Sequence, residues 1–267
     1  MNHQLNKTIA SLEVKAALEG KAALGASTNP ESSGLLEGFD GLKSRTVFCI
    51  WSGHNPMSAQ RIQALWSIYN NTGCPVALVT PHRLSDWVMP SAPLHPGYAL
   101  LSETHKADYL RCYLMHHYGG GYSDIKHSSA SWHPFFTALQ RSNAIALGYT
   151  EIPNGMPHLA GELGQRIQRE FFRVIGLCAF IFRRKTSITT AWYQQMTDLL
   201  DRRLDELCAH PAQHPQDQFG VELPNGQFSR YPFRWAELLG EIFHPLVYEH
   251  RDQLLHAAIA PQFFGYR

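Results

Sequence analysis

One stretch of the chain concentrates residues able to do chemistry: His105-Lys-Ala-Asp-Tyr-Leu-Arg-Cys-Tyr-Leu-Met-His-His-Tyr-Gly-Gly-Gly-Tyr-Ser-Asp-Ile-Lys126. Asp108 and Arg111 stand three apart, so a helix would carry a carboxylate and a guanidinium on one face. A guanidinium offers a planar fork for phosphate or hydroxyl oxygens, and a carboxylate accepts from hydroxyls. Gly119, Gly120 and Gly121 permit a sharp backbone turn and a close approach to a ligand. In an extended piece after them, alternation puts Tyr122, Asp124 and Lys126 on one side and Ser123 and Ile125 on the other.

The flanking sequence must position this cluster. Val47-Phe-Cys-Ile-Trp51 is a continuous apolar run, as expected of a strand buried on both faces. Asn55-Pro56 predicts a helix start, and Ile62, Leu65, Trp66 and Tyr69 mark one helical face. Asn71-Thr-Gly73 stops that helix, and Pro75–Thr80 reads as a second buried strand. Strand, helix and strand make a βαβ unit that opens an α/β sheet. Ligands of such sheets bind at the carboxyl ends of the strands, which nominates Trp51, Ser52 and Gly53. Glu103–Tyr118 predicts another helix, and strands are expected at 145–149 and 178–182. Ser187 is read as the cap of a long amphipathic helix reaching Leu207. Residues 210–235 read as a loop, and a last helix from about Trp235 ends at His244-Pro245. Residues 1–43, with a Gly/Ser/Asn/Pro-rich stretch at 25–34, read as a helical appendage and linker. Residues 44–267 then form one domain.

Composition narrows the classes. With 267 residues, 44% hydrophobic and 17% charged, the chain can build a large core without disulfides or metals. A net charge of +1 gives no footprint for nucleic acid. No apolar run reaches the length of a membrane span, and Lys7, Glu13, Lys15, Glu19 and Lys21 interrupt any signal-peptide core. Five scattered cysteines read as free thiols of a reducing compartment. The expectation is a cytoplasmic protein, with peripheral contact at the inner membrane face left open. Trp51-Ser-Gly-His-Asn-Pro56 lacks the GxGxxG of a Rossmann oxidoreductase.

The 105–126 stretch resembles the signature of glycosyltransferases of family 32 and of capsular-polysaccharide-synthesis glycosyltransferases. That signature runs Lys-Ser/Ala-Asp-x-x-Arg, a helix, then Tyr-Gly-Gly-x-Tyr-x-Asp-x-Asp. The match passes through Lys106, Ala107, Asp108, Arg111, Tyr118, Gly119, Gly120, Tyr122 and Asp124. The resemblance implies a GT-A fold. Its Rossmann-like nucleotide-binding sheet is flanked by helices, with a donor part at about 44–140 and an acceptor part at about 141–267. It implies a bacterial-type hexosyltransferase moving a sugar from a UDP- or GDP-sugar to a hydroxyl of a saccharide or glycolipid acceptor, mostly with retention. The alternative is a non-catalytic nucleotide-sugar or saccharide binder on the same fold. Under the resemblance the donor is held by Trp51, Ser52, Gly53, Asp108, Arg111, Gly120, Gly121, Tyr122 and Asp124. Asp124 and the position of Lys126 carry the catalytic pair.

Lys126 stands where the second Asp of that pair belongs. An ammonium has no lone pair for Mg²⁺ or Mn²⁺. Three readings stay open: Asp124 holds a metal with a distant ligand such as His127 or His244; Lys126 is itself the cation that neutralises the diphosphate; or the fold only binds. Plainer alternatives stand beside the other residues. Trp51 is more often core than a base platform, and Trp132 is expected beneath the site. His116 and His117 diverge by about 100° on a helix and read as structural. Arg183-Arg184-Lys185 reads as a solvated turn or as a contact for phosphate or anionic lipid. Glu151, Glu162 and Asp217 lie in the acceptor half, with Glu151 the first carboxylate to test.

Overall fold

The computed structural model describes residues 38–265. Of the helical appendage and linker expected at 1–43, residues 1–37 lie outside the described residues. Six strands form one mixed sheet in the order β2-β1-β3-β5-β4-β6. They are β1 (Val47–Ile50), β2 (Val76–Val79), β3 (Gly120–Ser123), β4 (Ala146–Thr150), β5 (Ile175–Phe182) and β6 (Leu254–His256). Only the pairs that β5 makes with β3 and β4 are antiparallel. Helices cover both faces: α1 (Ala59–Asn71), α2 (Glu103–His117), α3 (His133–Arg141), α4 (Gly161–Arg169), α5 (Ser187–Arg202), α6 (Leu204–Ala209) and α7 (Gly240–Glu249). The fold is α/β, compatible with a Rossmann-like arrangement.

The apolar strand runs are buried on both sides. Val47 and Cys49 of β1 pack in one core with Leu65 and Ile68 of α1 and Phe136 of α3. Phe48 and Ile50 face the other core, with Tyr109 and Tyr113 of α2, Trp192 of α5 and Phe243 of α7. Phe39 joins the second core and Leu42 the first, so packing begins before Arg45.

Three helices begin or end away from their expected positions. The first helix starts at the Ser58 cap, whose hydroxyl accepts from the Arg61 N–H, while the Asn55 carbonyl is taken by Trp51 Nε1 at 2.8 Å. Thr186, not Ser187, caps α5, in a reciprocal capping box with Thr189. That helix breaks at Arg203, so Leu204 and Leu207 belong to the short α6. The last helix does not end at Pro245 but starts later and runs through it. Proline removes one internal hydrogen bond there. Leu246, Val247 and Tyr248 beyond it are buried, and their packing keeps the helix going.

The glycine run serves the sheet. Gly119 (φ 65°), between α2 and β3, and Gly120 (φ 90°), the first residue of β3, have positive φ. A Cβ on Gly119 would meet Arg184 N at 2.7 Å, and one on Gly121 would meet the Trp132 ring at 3.0 Å. Trp132 is fully buried beneath β3. The Arg183 guanidinium is spent on carbonyls at the end of α3, at 2.6 Å from Leu139 O and 2.8 Å from Ser142 O. Arg184 binds Phe39 O at 3.1 Å, so these two arginines tie loops together rather than form a solvated anion patch. Among the described residues no helix is long and apolar enough to cross a membrane.

Candidate functional site

Because β5 runs against its neighbours, its first residues reach the sheet edge where β1, β3 and β4 end. A cleft of about 880 Å³ opens at that edge. It is lined by Trp51, Ser52 and Gly53 after β1, by Asp108 and Arg111 on α2, and by Tyr122, Asp124 and Lys126 on and after β3.

Asp124 is the hub. Its Oδ1 accepts from the Tyr122 hydroxyl at 2.7 Å and from Arg111 Nη2 at 3.2 Å, and its Oδ2 lies 2.9 Å from Lys126 Nζ. Its own N–H donates to the Cys178 carbonyl at 2.8 Å. Arg111 also donates through Nη1 to Leu177 O at 3.0 Å, approaches Asp108 Oδ1 at 3.6 Å, and lies 4.3 Å from the centre of the Tyr122 ring. Asp108 and Arg111 are both buried, so this is not a solvated surface pair.

These contacts set the charges. Burial alone would raise the Asp124 carboxyl, but Arg111, Lys126 and the Tyr122 hydroxyl hold it well below the usual carboxylate range. Burial opposes the charge on Lys126, and Asp124 overcomes it, so the ammonium persists above its ordinary range. Burial lifts Asp108 to about 7, with Arg111 opposing and Asp124 reinforcing. Cys178, whose Sγ lies 2.9 Å from Lys126 Nζ, is pushed up to about 12 by burial and by Asp124.

The arrangement does not suit a divalent cation at Asp124. Two fixed cations and a hydroxyl already engage its two oxygens, and like charge would repel a metal there. His244 is fully buried, and its ring nitrogens face Gly240 O at 3.1 Å and Glu151 Oε2 at 3.2 Å. His127 is exposed. Neither histidine lines the cleft. Among the described residues no group of three or more His, Cys, Asp or Glu is placed to hold a metal ion.

Other expected residues find different places. Gly120 and Gly121 do not line the cleft; they let β3 pass close to Gly41, Thr46 and Trp132. Trp51 is half-buried on the cleft wall, with its indole N–H spent on Asn55 O, leaving its ring for contact. Ser52 Oγ donates to Glu103 O at 2.5 Å. Glu162 is exposed on α4, and Asp217 is buried, accepting from Gln213 N at 2.8 Å. Glu151 reaches the cleft wall but turns its carboxylate inward, taking the Ile152 N–H at 2.9 Å and facing His244. A carbonyl only accepts, so His244 Nδ1 carries a hydrogen toward Gly240 O. His116 and His117 pack around Tyr193, away from the cleft.

Sequence reasoning missed Arg61, Cys178, Tyr149 and Trp235, all of which line the cleft. Arg61, whose Nη1 donates to Ile125 O at 2.5 Å, sits in the first turn of a helix that starts at this edge. That helix start was the available signal. For Cys178 and Tyr149 none existed, because both lie in apolar strand runs.

Comparisons with protein-family models, with curated proteins and with solved structures return no match for this chain.

Proposed function

We propose that the protein is a GT-A-type glycosyltransferase that moves a sugar from a UDP- or GDP-linked donor to a hydroxyl of a saccharide or glycolipid in glycan biosynthesis, working in the cytoplasm. The observation that carries the reading is the part-buried Asp108–Arg111–Tyr122–Asp124–Lys126 cluster on a cleft at the carboxyl edge of the sheet. At about 880 Å³ the cleft is of a size suited to a nucleotide sugar.

The chemistry follows from what leaves. As the glycosidic bond breaks, the nucleoside diphosphate gains negative charge. A cation preorganised in a partly dry site stabilises that charge without reorganising. Lys126 supplies it, held 2.9 Å from Asp124 and kept protonated by that carboxylate. Arg111 adds a second positive charge fixed by Leu177 O and Asp124. Asp108 accepts from donor hydroxyls. Trp51 offers its ring face to the base. The acceptor hydroxyl forms the new bond to the anomeric carbon with retention, and its proton passes to the departing phosphate, so no carboxylate base is assigned.

The test is donor turnover with and without EDTA in wild type, Lys126→Ala and Asp124→Ala. Turnover is expected to survive chelation and to fall about 10²–10³-fold in Lys126→Ala, the usual loss when one charge-stabilising donor is removed. Strict metal dependence would refute the lysine role. Intact turnover in Asp124→Ala would refute the whole assignment. Binding of UDP or GDP sugars without turnover over a broad acceptor panel would favour a binding protein whose cluster is already charge-balanced.

A further inference from the structure

The cleft is electrically lopsided. Its charged lining is Arg61, Glu103, Asp108, Arg111, Asp124 and Lys126 on one wall, and Glu151 alone on the other. Glu151 presents no bare charge, because its carboxylate is engaged by the Ile152 N–H and by His244 inside the wall. That second wall is built from residues 152–157, which follow β4, and 235–240, which lead into α7. The two segments meet where Gly240 approaches Pro157 closely enough that a Cβ would lie 2.8 Å from its ring.

This wall is neutral, and it exposes apolar surface. Trp235 is 46% exposed and Ile152 40%, and both line the cleft. Asn154 adds an uncharged amide. Exposed rings at a cleft mouth are ligand surface more often than accident. A pyranose presents an apolar C–H face that an indole covers, and hydroxyl edges that an amide can bond. A phosphate or uronate here would meet no cation belonging to this wall.

We infer that the Trp235 wall is the acceptor subsite and that it takes an uncharged saccharide rather than an acidic sugar or a lipid diphosphate. The inference rests on the glycosyltransferase reading for its role, and on the chemistry of the wall for its ligand. Trp235 is the platform, and Asn154 bonds a hydroxyl. Phe263 closes the mouth from the donor side, where its ring lies 5.5 Å from Lys126 Nζ.

Saturation-transfer NMR on the full chain tests it, with neutral tetrasaccharides of gluco, manno and galacto configuration, their uronate-containing counterparts, and UDP present. At least one neutral tetrasaccharide should bind, and Trp235→Ala, at an already exposed position, should weaken it about tenfold. Phe219→Ala, at an exposed ring off the cleft, should leave that binding unchanged. Equal or tighter binding of the uronates, no binding of any neutral probe, or unchanged binding in Trp235→Ala would each overturn the inference. Calorimetry with UDP and GDP reports on the other wall. Absence of nucleotide binding beside Trp235-dependent saccharide binding would remove the donor assignment and leave the acceptor wall standing.

Discussion

Asp108→Asn should make the protein more stable and less active, and the gain should grow with pH. Burial pushes the Asp108 carboxyl up to about 7 in the fold, against about 3.9 for a free aspartate. Its folded value is raised, so the native state binds more protons than the unfolded chain between these values. Stability from this group is therefore present at low pH and lost as pH rises toward about 7. At about 1.4 kcal/mol per pKa unit, ionised Asp108 costs the fold on the order of 4 kcal/mol above neutrality, and roughly half of that accrues between about pH 5.5 and pH 8. Asn removes the titration and keeps the shape. Urea unfolding of both proteins at about pH 5.5 and about pH 8 should show the variant's advantage growing by about 2 kcal/mol. Donor binding should weaken in the same variant, because the charge that destabilises the fold is the one that receives the ligand. An equal effect at both pH values, or a variant that is more active, would refute the argument.

Gly119→Ala should destabilise the fold by at least about 2 kcal/mol, because left-handed backbone and the Arg184 backbone both exclude a Cβ, and a melting temperature equal to wild type would contradict this. His105 is buried between Tyr231 and the Arg234 carbonyl, and burial lowers it to about 4. A depressed imidazole contributes stability that is lost as pH falls from about 6.5 toward about 4, roughly 3 kcal/mol in all, so His105→Gln should flatten the acid limb of the urea midpoint against pH.

The strands and the main helices were legible because buried strands read as short apolar runs, and α1 and α2 carry strong stops. The far ends of the later helices were not. Nothing local shows that Leu246–Tyr248 are buried tightly enough to carry α7 past Pro245. Nor does anything local show that Arg203 breaks the long helix before Leu204. For the candidate site, residue type and spacing sufficed to nominate Asp108, Arg111, Tyr122, Asp124 and Lys126, which the structure brings into one cluster. The same reasoning failed for Gly120 and Gly121, because a glycine run signals close approach without saying whether a ligand or a neighbouring strand approaches. It failed for His244 because a side chain's partner across the sheet leaves no mark on its own segment.

What turns an i, i+3 pair into a candidate site is the direction of one strand. Exposed, Asp108 and Arg111 would contribute a few tenths of a kcal/mol. In the fold, β5 runs antiparallel to β3 in the register Tyr122↔Phe180 and Ser123↔Ala179, which brings its early residues to the edge where β3 ends. The Leu177 carbonyl then fixes Arg111, the Cys178 carbonyl fixes the Asp124 backbone, and the Cys178 side chain meets Lys126. A shift of one residue would exchange the two faces of β5, sending Phe180 and Phe182 toward the α1 and α3 side and withdrawing Cys178 from the lysine. The phenylalanines hold this register through their contacts with Trp192 and Phe243 on α5 and α7. Aromatic packing behind the cleft wall, with Phe180 against the Tyr122 ring, thus keeps two opposite charge pairs within hydrogen-bonding reach inside it.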